Sequence, residues 1–123
     1  MATATLKNDI TFAIDVSDRQ LSADWYATHL GFSVRFHSDE MGWTELATHT
    51  EGVTLGLGDN DKPQPGNAIP VFGVADIERE RSALEKAGIR FDGPTTTYDG
   101  MVKIATFYDL DDNALMLAED LST

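Results

Sequence analysis

The chain has 123 residues, of which 41% are hydrophobic and 24% charged, enough for one compact domain with a hydrophobic core. Nine basic residues against 21 acidic ones give a net charge of −12, so the surface repels nucleic acid and anionic lipid, and neither is expected as a partner. The sequence has no cysteine, which excludes disulfides and thiolate metal sites, and no apolar run approaches the roughly 20 residues that span a bilayer. The first residues lack a signal-peptide pattern, so we expect a cytoplasmic protein.

The first half of the chain predicts a strand, a helix and further strands. The strand "DITFAIDV" alternates, with Thr11 and Asp15 on its polar face. The helix "RQLSADWYATHL" follows a cap at Ser17 or Asp18 and ends at Gly31. Its expected inner stripe consists of Leu21, Trp25 and Leu30.

Two later stretches complete this half. In "MGWTELAT", Trp43 and Glu45 share one strand face because side chains alternate with a period of two. In "GVTLGLGD", the apolar residues Val53, Leu55 and Leu57 alternate with small ones. The Pro- and Gly-rich segment "DNDKPQPGNA", residues 59–68, is the predicted joint between the two halves.

The second half repeats the order of the first. The strand "AIPVFGVAD" leads into the helix "IERERSALEKA", whose expected inner stripe is Ile77, Leu84 and Ala87 and which ends at Gly88; the strand "NALMLAED" comes last. Val74 and Asp76 repeat Val16 and Asp18 58 residues further on. Other repeated triplets are Leu30-Gly31-Phe32 with Ala87-Gly88-Ile89, and Leu55-Gly56-Leu57 with Leu115-Met116-Leu117. The sequence therefore predicts two tandem βαβββ modules.

The order of elements and the phrases "VSDRQLSADWYATHLGF", "WTELATHTEGVTLGL", "VADIERERSALEKAGIRF" and "FYDLDDNALMLAE" resemble the vicinal oxygen chelate superfamily, which includes glyoxalase I, extradiol dioxygenases and bleomycin-resistance proteins. The resemblance implies an α+β fold, with two βαβββ modules forming curled mixed sheets around a cleft and helices outside. It implies one domain over residues 1–123, with module one at about 6–60 and module two at about 67–120. It also implies a homodimer, which exposed edge strands at the joint favour.

The resemblance also provides a test for a metal. Enzymes of this superfamily hold a divalent metal with His, Glu or Gln at matching strand positions, which fall here at Thr11, Gly56, Ile69 and Met116. None of these residues makes a competent ligand set for Zn, Ni, Mn or Fe. A shift of one residue brings Ile10, Leu55, Pro70 and Leu115 or Leu117 there instead. We therefore expect no metal and no cofactor, which disfavours metal-dependent lyase, epimerase and ring-cleaving chemistry.

Other chemical motifs are weak. In "FYDLDDNALML", Asp109, Asp111 and Asn113 loosely imitate a calcium loop, but Ala114 stands where that loop needs glycine, so a hairpin turn is predicted. The three histidines have no metal-binding spacing: His29, His37 and His49. The sequence has no nucleophile elbow and no phosphate-binding glycine motif.

The strand faces that point away from the helices carry mostly small residues, which leave volume for a ligand unless large side chains fill it. Asp15 either pairs with Arg35, Lys103 or a backbone group, or holds a ligand. Trp43 beside Glu45 suits a flat cation, although a strand tryptophan can equally belong to the core. The candidate ligand-binding residues are Asp15, Trp43, Glu45, Tyr98, Lys103 and Met116. Which face of residues 101–108 lines the cleft is open.

Three functions are consistent with these patterns. The first is a metal-free protein that binds or sequesters a small cationic or aromatic compound, as the bleomycin-resistance branch does. The second is an enzyme of the same fold, a lyase, isomerase or dioxygenase type with a non-standard site, using groups such as Asp15, Glu45 or His37. The third is an interaction module with a vestigial pocket. Whether the protein is an enzyme is left open by the sequence, and the first function is preferred.

Overall fold

The computed structural model describes residues 3–110 and 112–122 and has an α+β fold made of two βαβββ modules. The elements of module one are β1 (Ile10–Val16), α1 (Arg19–Leu30), β2 (Ser33–Ser38), β3 (Trp43–Ala47) and β4 (Val53–Asp59). The elements of module two are β5 (Ile69–Gly73), α2 (Ile77–Lys86), β6 (Thr96–Tyr98), β7 (Val102–Tyr108) and β8 (Ala114–Asp120). Among the described residues, no helix has the length and apolar character needed to cross a membrane.

Module one, residues Asp9–Ile69, has a four-stranded mixed sheet in the order β2-β3-β4-β1. β1 runs parallel to β4, with Ala13 opposite Gly56 and Asp15 opposite Gly58. β3 is antiparallel to both of its neighbours, and a register irregularity at Arg35 interrupts its pairing with β2. One face of this sheet packs on α1 and the other carries the candidate ligand-binding residues, so we call the second face the open face of module one.

The core of module one lies between its sheet and α1. Ala23, Leu46 and Leu57 are buried there, and the partly buried residues packed around them are Ile14, Val16, Tyr26, Phe32 and Leu55. The alternation predicted for β1 and β4 is confirmed, because their apolar residues face the helix.

α1 begins after Asp18, whose side chain accepts the backbone N–H of Leu21, and ends at Gly31 in the left-handed conformation (φ 73°). The predicted inner stripe of this helix is wrong, because Leu21 is 67% exposed, Trp25 53% and Leu30 45%. The helix instead faces the sheet with Ala23, which allows a close approach. Tyr26, on the same side, stacks on Phe32 with ring centroids 5.9 Å apart.

Module two comprises the described residues of 3–8 and 70–122, with a sheet in the order β6-β7-β8-β5. β5 is parallel to β8, and β7 is antiparallel to both of its neighbours. Its core consists of Val74, Ile77, Ala105 and Leu117, with Leu84 packed against it. Ile77 and Leu84 therefore face inward as predicted, whereas Ala87 is exposed and the prediction for it is wrong.

The N-terminal segment 3–8 packs on module two rather than on module one, which follows it in sequence. The backbone N–H of Thr5 donates to Oε1 of Glu80 at 2.9 Å, and that of Lys7 donates to the carbonyl oxygen of Gly73 at 2.8 Å. Glu80 is only 4% exposed, so this carboxylate is buried with a backbone donor from the segment.

The acidic segment after β7 forms the turn of a β7–β8 hairpin, as predicted. Both carboxylate oxygens of Asp109 accept N–H groups of Asn113, one from the backbone at 2.9 Å and one from the side chain at 3.0 Å. These bonds close the turn and leave the Asp109 oxygens engaged by donors rather than facing a cation. Asp111, the second residue of the imitated calcium pattern, lies outside the described residues.

Candidate functional site

The centre of the open face of module one is the side chain of Trp43, which lies over Gly56 of the neighbouring strand. A Cβ atom at Gly56 would be 1.8 Å from Cζ2 of the indole and 2.1 Å from Cη2, far inside van der Waals contact. Gly56 is buried under this ring, so only glycine fits beneath it. We call the indole of Trp43 together with Gly56 the aromatic platform.

Glu45 holds the edge of the aromatic platform. Its Oε1 accepts the indole Nε1–H of Trp43 at 3.2 Å, and its Oε2 pairs with NH1 of Arg35 at 2.5 Å. The Glu45 side chain is 13% exposed and that of Arg35 51%, so the carboxylate is largely enclosed and its charge is neutralised. Glu45 therefore orients the ring, and a ligand cation would have to displace Arg35 to reach this carboxylate.

Asp15 provides a second carboxylate on the same face. Its Oδ2 accepts the side-chain N–H of Asn60 at 2.9 Å, while its backbone N–H donates to the side chain of Asn67 at 2.8 Å. Of the alternatives considered for Asp15, the ion pair with Arg35 or Lys103 is not formed, since those cations pair with Glu45 and Glu78. Asn60 and Asn67 both belong to the predicted joint, so this segment packs against β1.

The carboxylate of Asp15 is close to the aromatic platform. Its Oδ1 and Cε3 of Trp43 both lie within 4 Å of the point where a Cβ of Gly58 would be. Asp15 is exposed, and Oδ1 accepts no hydrogen bond from the described residues. Beside Asp15, a depression of about 360 Å³ extends to Tyr26 of α1 and to the loop of residues 63–67. An acceptor oxygen and an aromatic ring therefore meet at one end of the platform, whereas this depression lies on the α1 side of β1, with Ile14 and Val16 in its lining.

The positions that would carry metal ligands do not form a metal site in either module. Thr11 uses its hydroxyl in a 2.7 Å hydrogen bond with Thr54, and Gly56 lies under the indole of Trp43. At the start of β5, Ile69 has no donor atom, and Met116 of β8 offers only a thioether. A hydroxyl and a thioether are poor ligands for Zn, Ni, Mn or Fe, so the residues present do not fit the metal that the resemblance implies.

On the opposite side of the module-one sheet, Arg19 forms a hub of hydrogen bonds that no local sequence pattern indicates. Its Nε donates to Asp59 at 2.8 Å and NH2 to Asp39 at 3.1 Å. NH1 donates to the backbone carbonyl of Trp43 at 2.9 Å and to Oγ1 of the fully buried Thr44 at 3.1 Å. Hydrogen bonds to Asp59 and then to Asp39 raise the pKa of the Arg19 guanidinium above its ordinary value.

A depression of about 360 Å³ lies around this hub, and it is lined by Asp18, Arg19, Gln20, His37, Asp39, Thr44 and Asp59. Nδ1 of His37 is hydrogen-bonded to Thr44 at 2.9 Å, and Nε2 of His49 donates to the carbonyl oxygen of Leu30 at 2.7 Å at the end of α1. His29 lies in the last turn of α1 and contacts the ring of Trp25. These three histidines thus have structural contacts within module one.

The candidate residues of module two fall on different faces of its sheet. Tyr98 and Met116 lie on the face opposite α2, because Tyr98 pairs with Val102, and Met116 with Val71 and Thr106. Lys103 instead lies on the face that α2 covers, where its Nζ pairs with Glu78 at 3.0 Å. The face of β7 away from α2 therefore carries Val102, Ile104 and Thr106.

One group of carboxylates in the described part of the chain has oxygen atoms within 4.8 Å of one another: Asp76, Glu78 and Glu119. Each already has a partner in module two. Asp76 caps α2 at the N–H of Arg79, Glu78 pairs with Lys103, and Glu119 accepts the N–H of Ile77 at 2.8 Å. The group stabilises the beginning of α2 and is no candidate for the ligand site.

Solved structures with the same fold include methylmalonyl-CoA epimerase from Mycobacterium tuberculosis, with a TM-score of 0.77 and 18% identity over 98% of this chain and 92% of the epimerase chain. A hypothetical protein from Bacillus halodurans C-125 has a TM-score of 0.73 and 12% identity over 97% of both chains. At these identities the likeness shows the fold alone.

Sequence comparisons extend the likeness to a family. The chain is 28% identical over 125 aligned positions to the uncharacterized protein YurT of Bacillus subtilis (strain 168), covering 89% of this chain and 97% of that protein. The model of the Glyoxalase/Bleomycin resistance protein/Dioxygenase superfamily matches residues 10–117. The match covers both modules, and the chain therefore belongs to the Glyoxalase/Bleomycin resistance protein/Dioxygenase superfamily.

Proposed function

We propose that this protein is a metal-free small-molecule-binding protein that takes a flat, cationic compound on the open face of module one. The observation that carries this proposal is the position of Trp43 over Gly56. At the β4 position where the resemblance places a metal ligand, the space above the strand is filled by an aromatic ring. A ring held at a sheet surface offers stacking and cation–π attraction rather than coordination.

The charges around the platform favour a cation with a defined orientation. Glu45 is neutralised by Arg35 and fixes the indole, whereas Asp15 keeps Oδ1 available close to the same ring. A planar ligand stacked on Trp43 would therefore direct its positive group toward Asp15. The net charge of −12 adds a long-range attraction for cations, which ionic strength weakens.

Tryptophan fluorescence tests the proposal, because the chain has only two tryptophans. In a Trp25→Phe background, Trp43 is the only indole that reports binding. We expect the flat cations N-methylquinolinium and ethidium, and the cationic glycopeptide bleomycin, to quench this emission and to raise the melting temperature. Quinoline, which has nearly the same outline as N-methylquinolinium without its charge at pH 8, should bind more weakly.

Two variants that each remove one negative charge distinguish binding at the site from the general electrostatic attraction of cations to the protein. Asp15→Asn should weaken cation binding roughly tenfold, which is the effect of losing about 1.4 kcal/mol. Asp24→Asn removes the same charge from α1, where Asp24 accepts a hydrogen bond from Gln20, and should leave binding unchanged. Equal effects of both variants, silence toward all three cations, or stabilisation by Ni, Zn, Mn or Fe in place of the cations would contradict the proposal.

A further inference from the structure

We propose that Arg19, on the helix side of the module-one sheet, is a positioning residue that keeps the indole of Trp43 over Gly56. The inference rests on the proposed function of the aromatic platform, but it concerns the protein without ligand. It assigns support of the backbone under the indole to a residue that does not touch the open face, while Glu45 holds the edge of the ring itself.

The hydrogen bonds of Arg19 connect three separate segments near the start of β3. One guanidinium donates to Asp59 at the end of β4, to Asp39 in the β2–β3 turn, and to the carbonyl of Trp43. The Arg19 side chain is only 16% exposed, and its bonds to the Trp43 carbonyl and to Thr44 lie on the enclosed side of the guanidinium, whereas Asp39 and Asp59 meet it from the solvent side. The planar fork of arginine fixes all three acceptors in one geometry, which a point charge cannot do.

Trp43 needs such support because it is the first residue of β3. It directly follows Gly42, which has a φ of 62° and whose carbonyl accepts the N–H of Asp59 at 3.1 Å. Strand ends fray more readily than strand centres. Arg19 also donates to the hydroxyl of Thr44, the next residue. The guanidinium therefore holds two consecutive residues of β3 from the α1 side of the sheet. A shift of this backbone would move the indole on the opposite face.

Module two provides an internal comparison. α2 begins at Ile77 after its cap, as α1 begins at Arg19, and Ile77 packs in the core with Ala105. The register places Ile104 opposite Ala118 where module one has Trp43 opposite Gly58. Module two, which has no aromatic platform, thus has apolar residues packed between α2 and β7 instead of an arginine. The arginine and the platform occur together in module one.

The test uses the Trp25→Phe background, where the indole bands of the near-ultraviolet circular dichroism and the acrylamide quenching of indole fluorescence report on Trp43. We expect Arg19→Gln to lose at least half of the indole dichroism and to raise the quenching constant roughly twofold, because a ring without fixed support samples more orientations. Arg19→Lys should do the same, since lysine keeps the charge but not the fork.

Arg81→Gln is the matched control. Arg81 is also a largely enclosed helix arginine, with NH1 bonded to Thr95 and NH2 to the carbonyl of Gly93, but it belongs to module two. This variant should lower the melting temperature without changing the Trp43 signals. If Arg19→Gln loses stability but keeps the indole dichroism, as Arg81→Gln should, Arg19 is only structural and the proposal is overturned.

A milder variant covers the case in which Arg19→Gln does not fold. Asp59→Asn removes one charged acceptor of the guanidinium, and its far-ultraviolet spectrum should stay native while part of the indole dichroism is lost; an unchanged indole signal would contradict the proposal. All these signals are recorded without ligand. A failure of the cations to bind therefore counts against the proposed function alone, and an unchanged platform in Arg19→Gln counts against this inference alone.

Discussion

The indole of Trp43 occupies the space above Gly56, so the two residues are a complementary pair: one provides the ring and the other provides the missing side chain. The resemblance to the superfamily implies a metal-ligating side chain on β4 at the position of Gly56. Any side chain at this position would have to displace the ring. The indole of Trp43 and a metal-ligating side chain at residue 56 therefore cannot occupy this point on β4 together.

Gly56→Ala should displace the indole of Trp43, because the added Cβ would be 1.8 Å from Cζ2. We expect a loss of about 1–3 kcal/mol of stability from overpacking. The near-ultraviolet signal of Trp43 should change with it. Urea denaturation and circular dichroism in the Trp25→Phe background measure the two effects.

Gly58→Ala is the control for this substitution, since its Cβ would meet Oδ1 of Asp15 at 3.5 Å, an ordinary contact. It should leave the indole signal unchanged. If both alanine variants have the same spectrum as the parent protein, the indole of Trp43 does not lie over Gly56.

Arg35 and Glu45 should show a modest energetic coupling. The pair is 51% and 13% exposed and has a short, charge-assisted geometry, so we expect a coupling energy of roughly 0.5–1 kcal/mol. A double-mutant cycle with Arg35→Gln and Glu45→Gln, followed by urea denaturation, measures it. Additive effects of the two substitutions would show that Glu45 is held by Trp43 alone.

Thr44→Val should destabilise the protein by about 1 kcal/mol, because the fully buried hydroxyl is hydrogen-bonded to Arg19 and to His37. Thr97→Val, on the exposed edge strand β6, is the comparison and should be nearly neutral. Thermal and urea unfolding of both variants provide the measurement. A neutral Thr44→Val would mean that the hydroxyl contributes nothing to the hub.

The Glu78–Lys103 pair should make a small contribution to stability that acid removes. The hydrogen bond from Lys103 is the largest of the causes that lower the pKa of Glu78 below its ordinary value of 4.5. The stabilisation is therefore complete above that value, and it is lost as the pH falls through the lower pKa of the folded state. The stability difference between the parent protein and Glu78→Gln should be present at neutral pH and vanish in strong acid.

Glu51→Gln, which removes an exposed acid in the turn before β4, is the comparison and should be nearly neutral at neutral pH. A difference between the parent protein and Glu78→Gln that persists unchanged in strong acid would contradict the assignment to this ion pair.

Much of the fold could be predicted because it depends on short-range periodicity. The alternation in β1 and β4 identifies the residues that face α1, and the recurrence of Val16 and Asp18 as Val74 and Asp76 reveals the second module. Both capping aspartates follow from the same pattern. These signals are local, so a single sequence carries them.

The orientation of α1 could not be predicted in the same way, because this helix has apolar side chains on more than one side. Leu21 and Trp25 form a plausible stripe, but the small Ala23 faces the sheet. The choice between two apolar sides is made by packing, where a close approach of helix and sheet outweighs the burial of larger side chains. A helix with a single apolar face, such as α2, leaves no such choice.

Within the candidate site, the proximity of Trp43 to Glu45 follows from a period of two. The partners that complete the site are distant in sequence: Asn60 reaches Asp15 across 45 residues, and Arg19 reaches Asp59 across 40. No local pattern links such pairs, and only the parallel pairing of β1 with β4 brings the ends of these segments together.

The attachment of residues 3–8 to module two has a consequence for how the chain is made. The ribosome synthesises this segment before module one, and the remainder of module two only afterwards. All residues of module one are present once residue 69 has emerged, whereas the hydrogen bond from Thr5 to Glu80 can form only after Glu80 has been synthesised. Cutting the gene between the modules would therefore yield one intact half and one half that buries a carboxylate without its donor.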